Sequence, residues 1–250
     1  MATRDEMARS FGAQAGAYER GRPTYPVEAV AWLLDGVGDA ARVADVGAGT
    51  GKLTAVVSHL MAERGGEIIA VDPDAAMLDT LRATLPGTET LVGTAEHVNL
   101  PEESVDAVVL GQAWHWVDPV AASAELGRIL KPGGTLGLIW NSRDESVQWV
   151  ARLGGIMQGS NAELFLAAGG PSSAPPFEEF EEHQWRWVRT MMRDELLAMV
   201  HSRSYVITAS EDERARIDDE VGALLDEMGV AGEASVELPY VTRAFRSTRR

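Results

Sequence analysis

The sequence predicts a doubly wound α/β fold built on a mostly parallel sheet, and three observations carry that prediction. Short apolar runs alternate with segments of helical period through residues 42–140. One run, VDAVVL (105–110), is apolar almost throughout, as a strand covered on both faces must be. The first run, RVADV (42–46), leads straight into a glycine-rich bend and then a helix.

Taken in order, RVADV (42–46) reads as a buried strand. A helix is predicted over 51–63, because Leu53, Val56, Val57, Leu60 and Met61 recur at one helical face. EIIAVD (67–72) is the second strand, followed by a helix over 74–84 with Met77, Leu78, Leu81 and Leu85 inward, and a short strand near 89–92. After the strand at 105–110, Asp118 and Pro119 supply an N-cap and a first-turn proline. That helix should end near Lys131, before Pro132-Gly133-Gly134, and TLGLIW (135–140) forms the next strand.

The second half has a different texture. A helical stretch near 145–168 runs into the loop GGPSSAPP (169–176), and 179–189 has strand character. Ser210 with Glu213 suggests a capping box. The helix it opens would bury Ile217, Val221, Leu224, Leu225 and Met228 and stop at Gly229; a last strand is predicted over 235–246.

The chain has 250 residues, enough for one sizeable core with a small appended cap. Lys and Arg number 22 against 38 Asp and Glu, a net charge of −16. That field repels phosphate backbones and anionic lipid, so nucleic-acid and membrane partners are not expected. Arg243, Arg246, Arg249 and Arg250 form the best local basic candidate, and a solvated tail is the plainer reading. Without cysteine there are no disulfides, thiol nucleophiles or thiolate metal sites. The N-terminal MATRDEMARS lacks the apolar run of a secretory signal, and no stretch approaches ~20 apolar residues, so a cytoplasmic location is expected. The five histidines are scattered, and no metal is expected.

The bend reads Gly47-Ala48-Gly49-Thr50-Gly51, preceded by Asp45. Glycines at alternate positions let the backbone turn sharply and approach a ligand. The phosphate-binding P-loop pattern fails at both ends, since Val46 stands five residues before Gly51 and Leu53 follows Lys52. The dinucleotide pattern fails too, with Lys52 at its third glycine. An acid beside the bend repels a pyrophosphate but suits the ammonium end of an amino-acid-bearing cofactor. Asp72 ends the next strand, where a carboxylate can accept the hydroxyls of a ribose, with Pro73 and Met77 beside the base. The competing reading gives Asp45 a capping role and Asp72 a turn.

With these residues in view, the chain resembles a class I S-adenosylmethionine-dependent methyltransferase. VADVGAGTG (43–51), VDPDAAML (71–78), GTAEHVNLP (93–101), VDAVVLGQAWHW (105–116) and LKPGGTLGLIW (130–140) stand in that family's order. The resemblance covers roughly residues 10–145 and implies a seven-stranded, Rossmann-like sheet. It also implies an N-terminal helical lid (1–36), a cofactor-binding core (37–145), and substrate-cap helices with the final strands (146–250). More narrowly, FGAQAGAYERGRPTYP (11–26) and QAWHW (112–116) are similar to the trans-aconitate methyltransferase-like group of small-molecule enzymes. By that likeness S-adenosylmethionine is held by Tyr18, Arg22, Asp45, Gly47, Ala48, Gly49, Asp72, Pro73, Met77, Ala95, Glu96 and Gln112, with Tyr18 and Arg22 closing over its methionine portion. The alternative for Arg22-Pro23 is simply to shape the start of a helix near Val27.

The loop Gly111–Trp116 lies where ligands bind in such sheets. His115 is the candidate catalytic residue, as a general base, a hydrogen-bonding orienter of substrate, or a buried structural histidine. Trp114, Trp116 and Trp140 are candidate walls of the acceptor pocket, with core packing as the alternative. Trp185 and Trp187 read as one face of a half-buried strand or, with Arg186 and Arg189, as a rim for an anionic acceptor. The loop carries Gly111-Gln112-Ala113-Trp114 in place of the Asn/Asp-Pro-Pro-Tyr pattern that holds a planar nitrogen. The expected activity is therefore methyl transfer to a small molecule, first of all to an oxygen of a carboxylate or hydroxyl. The runners-up are a cofactor-binding module without turnover and a nicotinamide oxidoreductase. Monomer and homodimer are both open.

Overall fold

A computed structural model describes residues 23–157, 161–203, 206, 209–232 and 234–250. Its strands are β1 (Arg42–Val46), β2 (Glu67–Asp72), β3 (Glu89–Val92), β4 (Val105–Gly111), β5 (Leu130–Arg143), β6 (Glu181–Met192) and β7 (Ser235–Thr248). Its helices are α1 (Val27–Leu33), α2 (Lys52–Ala62), α3 (Ala75–Thr84), α4 (Pro119–Ile129), α5 (Gln148–Met157), α6 (Asn161–Ala167), α7 (Arg193–His201) and α8 (Glu211–Glu227), with a 3-10 turn at Trp114–Trp116. The strands form one seven-stranded sheet in the order β3-β2-β1-β4-β5-β7-β6. β7 alone runs against both its neighbours, β5 and β6.

Helices cover both faces, which is why the central strands are apolar on both sides. Ala44, Val46, Val108, Leu110, Leu136 and Leu138 pack with Leu126 and Ile129 of α4 on one face. Val43, Ala107, Val109 and Ile139 pack with α1 and α2 on the other. A third cluster joins α5, α7 and α8 to Val236, Leu238 and Tyr240 of β7. Asp118 accepts from the amides of Val120 and Ala121 at 2.9 and 3.0 Å, and Pro119 opens α4, as its sequence requires.

The structure revises several boundaries. α4 stops at Ile129, because Leu130 already pairs with Val105. Residues 131–134 then bulge out, with Gly133 at φ 77°, before Thr135 pairs with Ala107. β5 continues to Arg143 because β7 pairs with it as far as Tyr240. The stretch expected as one helix over 145–168 forms α5 and α6. α7 was not foreseen in the sequence. At α8, Ser210 Oγ accepts from the Glu213 amide at 3.3 Å, but the Glu213 carboxylate pairs with Arg216 rather than completing the box. No helix among the described residues is long and apolar enough to cross a membrane.

Candidate active site

The strand order reverses at β1. The chain leaves β1 toward β2 and β3 on one side and returns to β4 on the other. Loops at such a point diverge and leave a crevice at the carboxyl ends of the strands. The predicted site residues among those described lie on or just beyond the tips of β1 to β5. Tyr18 and Arg22 lie outside the described residues.

Backbone geometry shapes the first tip. Gly47 has φ +75° and Gly49 φ +57°, left-handed values that suit glycine. A Cβ on Gly47 would stand 2.7 Å from Ala113 Cβ, so β1 and β4 loops touch there. A Cβ on Gly49 would meet nothing within 4 Å among the described residues, which leaves its backbone open on that side. The amides of Gly47 and Ala48 donate to Val71 O at 2.8 and 3.0 Å and tie the bend to β2. The Gly49 amide donates to Asp72 Oδ2 at 2.8 Å, and the Asp74 amide donates to Asp72 Oδ1 at 2.9 Å. Asp72 thus also fixes the bend and the start of α3, while each oxygen keeps a further lone pair.

Asp45 is fully buried and is bonded to Thr54 in the first turn of α2, by both side chain and backbone. Its Oδ2 accepts from Thr54 Oγ1 at 2.7 Å, and its Oδ1 has no partner among the described residues. Burial pushes its carboxyl up to about 7, against the pull of the Thr54 bond and with a further push from Asp72. Burial also raises Asp72, opposed by the amides of Asp74 and Gly49. Two acids, one with an orphaned buried oxygen, beside bare backbone make a site for a cation that donates hydrogen bonds. The α-ammonium of an amino acid fits; a phosphate does not.

At the β3 tip Ala95 is buried, and Glu96 Oε1 accepts from the Asp118 amide at 2.9 Å. Pro73 is exposed and Met77 buried at the β2 tip. At the β4 tip Gln112 has φ +56°, a costly value for a side-chain-bearing residue and a mark of sites held in strain. Its amide donates to Ile139 O at 2.9 Å and its Nε2 to Asn141 O at 3.0 Å, so this side chain braces β5. Trp114 and Trp140 are buried in the sheet's apolar cluster, while Trp116 is half-buried with its ring 4.8 Å from that of His115. Trp140 Nε1 donates to His115 Nδ1 at 3.5 Å. An indole N–H only donates, so this contact favours Nδ1 as the acceptor, with the proton on Nε2 whenever the ring is neutral. Phe165 of α6 closes this group, 5.7 Å from Trp140 and 6.1 Å from His115.

Trp187 stacks on Tyr240 at 4.9 Å and donates to Thr242 Oγ1 at 2.8 Å, Trp185 packs on Trp32 at 5.8 Å, and Arg186 pairs with Asp144 at 2.7 Å. These are the contacts of a half-buried strand. The C-terminal arginines are each matched by an acid: Arg243 by Glu182, Arg246 by Glu181, Arg249 by Glu103 and Arg250 by Glu178. Sequence reasoning missed Asn141 and Arg143. Asn141 donates to Thr24 O at 3.0 Å and accepts from Thr242 Oγ1 at 2.6 Å. The available signal was a polar run, Asn-Ser-Arg-Asp (141–144), directly after an apolar strand at the ligand-binding end of the sheet.

The family model described as "Methyltransferase domain" matches residues 44–138. An uncharacterised methyltransferase of Mycobacterium tuberculosis is 46% identical over 247 residues, covering 98% of each chain. A malonyl-[acyl-carrier protein] O-methyltransferase of Methylococcus capsulatus is 36% identical over 51% of this chain and 48% of its own. Among solved structures, a putative type II methyltransferase from Anaeromyxobacter dehalogenans is 25% identical with a TM-score of 0.60, covering 91% of this chain and 97% of that one.

Proposed function

The chain belongs to the methyltransferase family, and on that premise we propose that it transfers a methyl group from S-adenosylmethionine to an oxygen of a small-molecule acceptor. The observation that carries this reading is the orphaned, buried oxygen of Asp45 beside the open backbone of Gly49 and the carboxylate of Asp72. When bound, the cofactor supplies a methyl group on a positively charged sulfur that already has a good leaving group.

The protein's own part is to hold, align and exclude water. Asp45 receives the ammonium of the methionine portion, and Asp72 the ribose hydroxyls. Gly47, Ala48 and Gly49 admit the nucleoside by having little or no side chain to block it. Pro73, Met77, Ala95 and Glu96 lie at the neighbouring tips, where the base would sit. Gln112 holds the β4 loop against β5. His115 faces the acceptor with Nε2–H, a donor. That favours the orienting role over the basic one and suits an acceptor already ionised, such as a carboxylate. Oxygen is further favoured by the relative named as an O-methyltransferase and by Gly111-Gln112-Ala113-Trp114 at the β4 tip.

Incubation with methyl-labelled S-adenosylmethionine and a fractionated metabolite extract should yield a labelled small product. A base-labile product would mark a methyl ester. Label found only in RNA or protein overturns the small-molecule reading.

A further inference from the structure

Arg143, the last residue of β5, is the buried cation that the reading above leaves unused. Its side chain is 1% exposed. Its Nη2 meets Glu163 of α6 at 2.9 Å, and Glu145 approaches to 4.0 Å. Its Nε and Nη1 have no hydrogen-bond partner among the described residues. Buried guanidinium N–H groups left unmade are costly, so a site that keeps them open calls for a reason.

A second orphan sits beside it. Tyr240 pairs directly with Arg143 across β5 and β7, so both side chains leave the same face, with Cβ atoms ~5 Å apart as in any direct pair. The Tyr240 hydroxyl is buried and also lacks a partner among the described residues. The Tyr240 ring is held flat by stacking on Trp187 at 4.9 Å.

α6 connects this pair to the reacting end of the site. Glu163 contacts Arg143, and Phe165, two residues on, contacts His115 and Trp140. α6 therefore stands between the orphaned donors and His115, touching the first through Glu163 and the second through Phe165.

We propose that Arg143 and Tyr240 form a subsite for a hydrogen-bond-accepting oxygen group of the acceptor, a carbonyl or a carboxylate, remote from the atom that is methylated. Glu163 already balances the guanidinium charge. The subsite accordingly selects lone pairs presented to N–H and O–H donors rather than net negative charge. The proposal rests on the methyltransferase reading, since it assigns the far end of that enzyme's acceptor.

Saturation-transfer NMR on the full chain with S-adenosylhomocysteine present tests it, using benzoate, acetophenone and benzamidine as probes. Transfer is expected to benzoate, acetophenone or both, and not to benzamidine, which offers only donors. Benzoate alone would mark a carboxylate subsite, acetophenone alone an uncharged carbonyl. Affinity for the bound probe should fall at least tenfold in Arg143→Met and at least threefold in Tyr240→Phe, with S-adenosylhomocysteine affinity within twofold of wild type. Tyr240→Phe removes only an atom without a partner, so its melting temperature should match wild type. No transfer to either accepting probe, equal transfer to benzamidine, unchanged probe affinity in Tyr240→Phe, or a lowered melting temperature in that variant overturns the subsite. Failure of wild type to bind S-adenosylhomocysteine would instead overturn the cofactor reading beneath it.

Discussion

The two sides of the crevice are built by different means. On the β1–β2 side the polar groups are fixed by main chain and near neighbours in sequence: Asp72 accepts from two backbone amides, the bend hangs from Val71 O, and Asp45 accepts from Thr54 nine residues on. On the β5–β7 side they are fixed by one another: Arg143 by Glu163, Asn141 by Thr242, His115 by Trp140. Backbone-held groups depend on a short stretch of sequence. Side-chain-held groups depend on residues tens to a hundred positions apart. The first side is therefore suited to an invariant ligand, and the second can be retuned for a particular acceptor.

The largest effect that could break this contrast is at the bend. Gly47→Val places a branched side chain at φ +75° and drives its Cβ within 2.7 Å of Ala113 Cβ. Both β1 and β4 loops must then shift. Binding of S-adenosylhomocysteine, followed by calorimetry, should fall more than a hundredfold, with ~2–4 kcal/mol lost in stability. Near-normal binding would mean the bend does not shape the cofactor site.

Asp45→Asn is next. It keeps the Thr54 contact and removes the charge, so cofactor affinity at pH 8 should drop roughly tenfold to a hundredfold, the worth of a charge-assisted bond. Stability should move the other way. With its folded carboxyl raised from 3.8 to about 7, Asp45 binds its proton more tightly in the folded chain than in the unfolded one. Wild-type stability from this group is thus full below about pH 4, declines as pH rises toward 7, and is flat above. The Asn variant lacks that decline and should be the more stable protein at pH 8, by a few kcal/mol at most. Wild-type cofactor affinity should weaken as pH falls below 7. Denaturant melts and titrations at pH 5.5 and 8.5 read both trends, and parallel melts for the two proteins would refute the assignment of the buried charge.

How much was legible follows the same division. β1 to β4 and their helices could be read from residues 42–129, because parallel strands between helices are written locally as apolar runs, caps and glycines. The acids at 45 and 72 stood out for the same reason. Arg143, Asn141 and Tyr240 did not, since nothing near Arg143 in sequence announces that residue 240 lies beside it. The length of β5 was hidden likewise: its last residues are strand only because β7 pairs with them. α7 is not legible locally because Leu196, Met199 and Val200 gain their burial from α5, α8 and the strand ends, which lie far from them in sequence.

A smaller effect tests the side-chain-held half. Trp140→Phe removes the donor to His115 Nδ1 and leaves the ring free to change tautomer. A lost neutral hydrogen bond costs about 0.5–1.5 kcal/mol, so turnover should fall roughly twofold to tenfold, in kcat rather than KM. In wild type the carbon shifts of the His115 ring should report the proton on Nε2, and in the variant a mixture. Wild-type shifts reporting Nδ1–H would remove Trp140 from any role in placing His115.

The smallest expected effect compares one carboxylate from each kind of construction. Asp106 accepts from the Arg42 amide at 2.8 Å and from Lys131 at 2.7 Å, while Glu182 at the sheet's outer edge is held by Arg243 and Gln184 side chains. Partial burial works to raise Asp106, but the amide and the lysine hold it below the usual range; Arg243 does the same for Glu182. Each therefore adds stability above its unfolded pKa that is lost as pH falls through its folded one. Both are partly exposed, so solvent screening keeps the amounts small: about 1 kcal/mol for Asp106→Asn and about 0.5 kcal/mol for Glu182→Gln at pH 7. Salt should erode the Glu182 difference first, because a side-chain pair at an open edge is screened while an amide that loses its carboxylate is not compensated by salt. Equal losses, equally salt-sensitive, would erase the distinction between the two halves at the periphery of the sheet and confine it to the crevice itself.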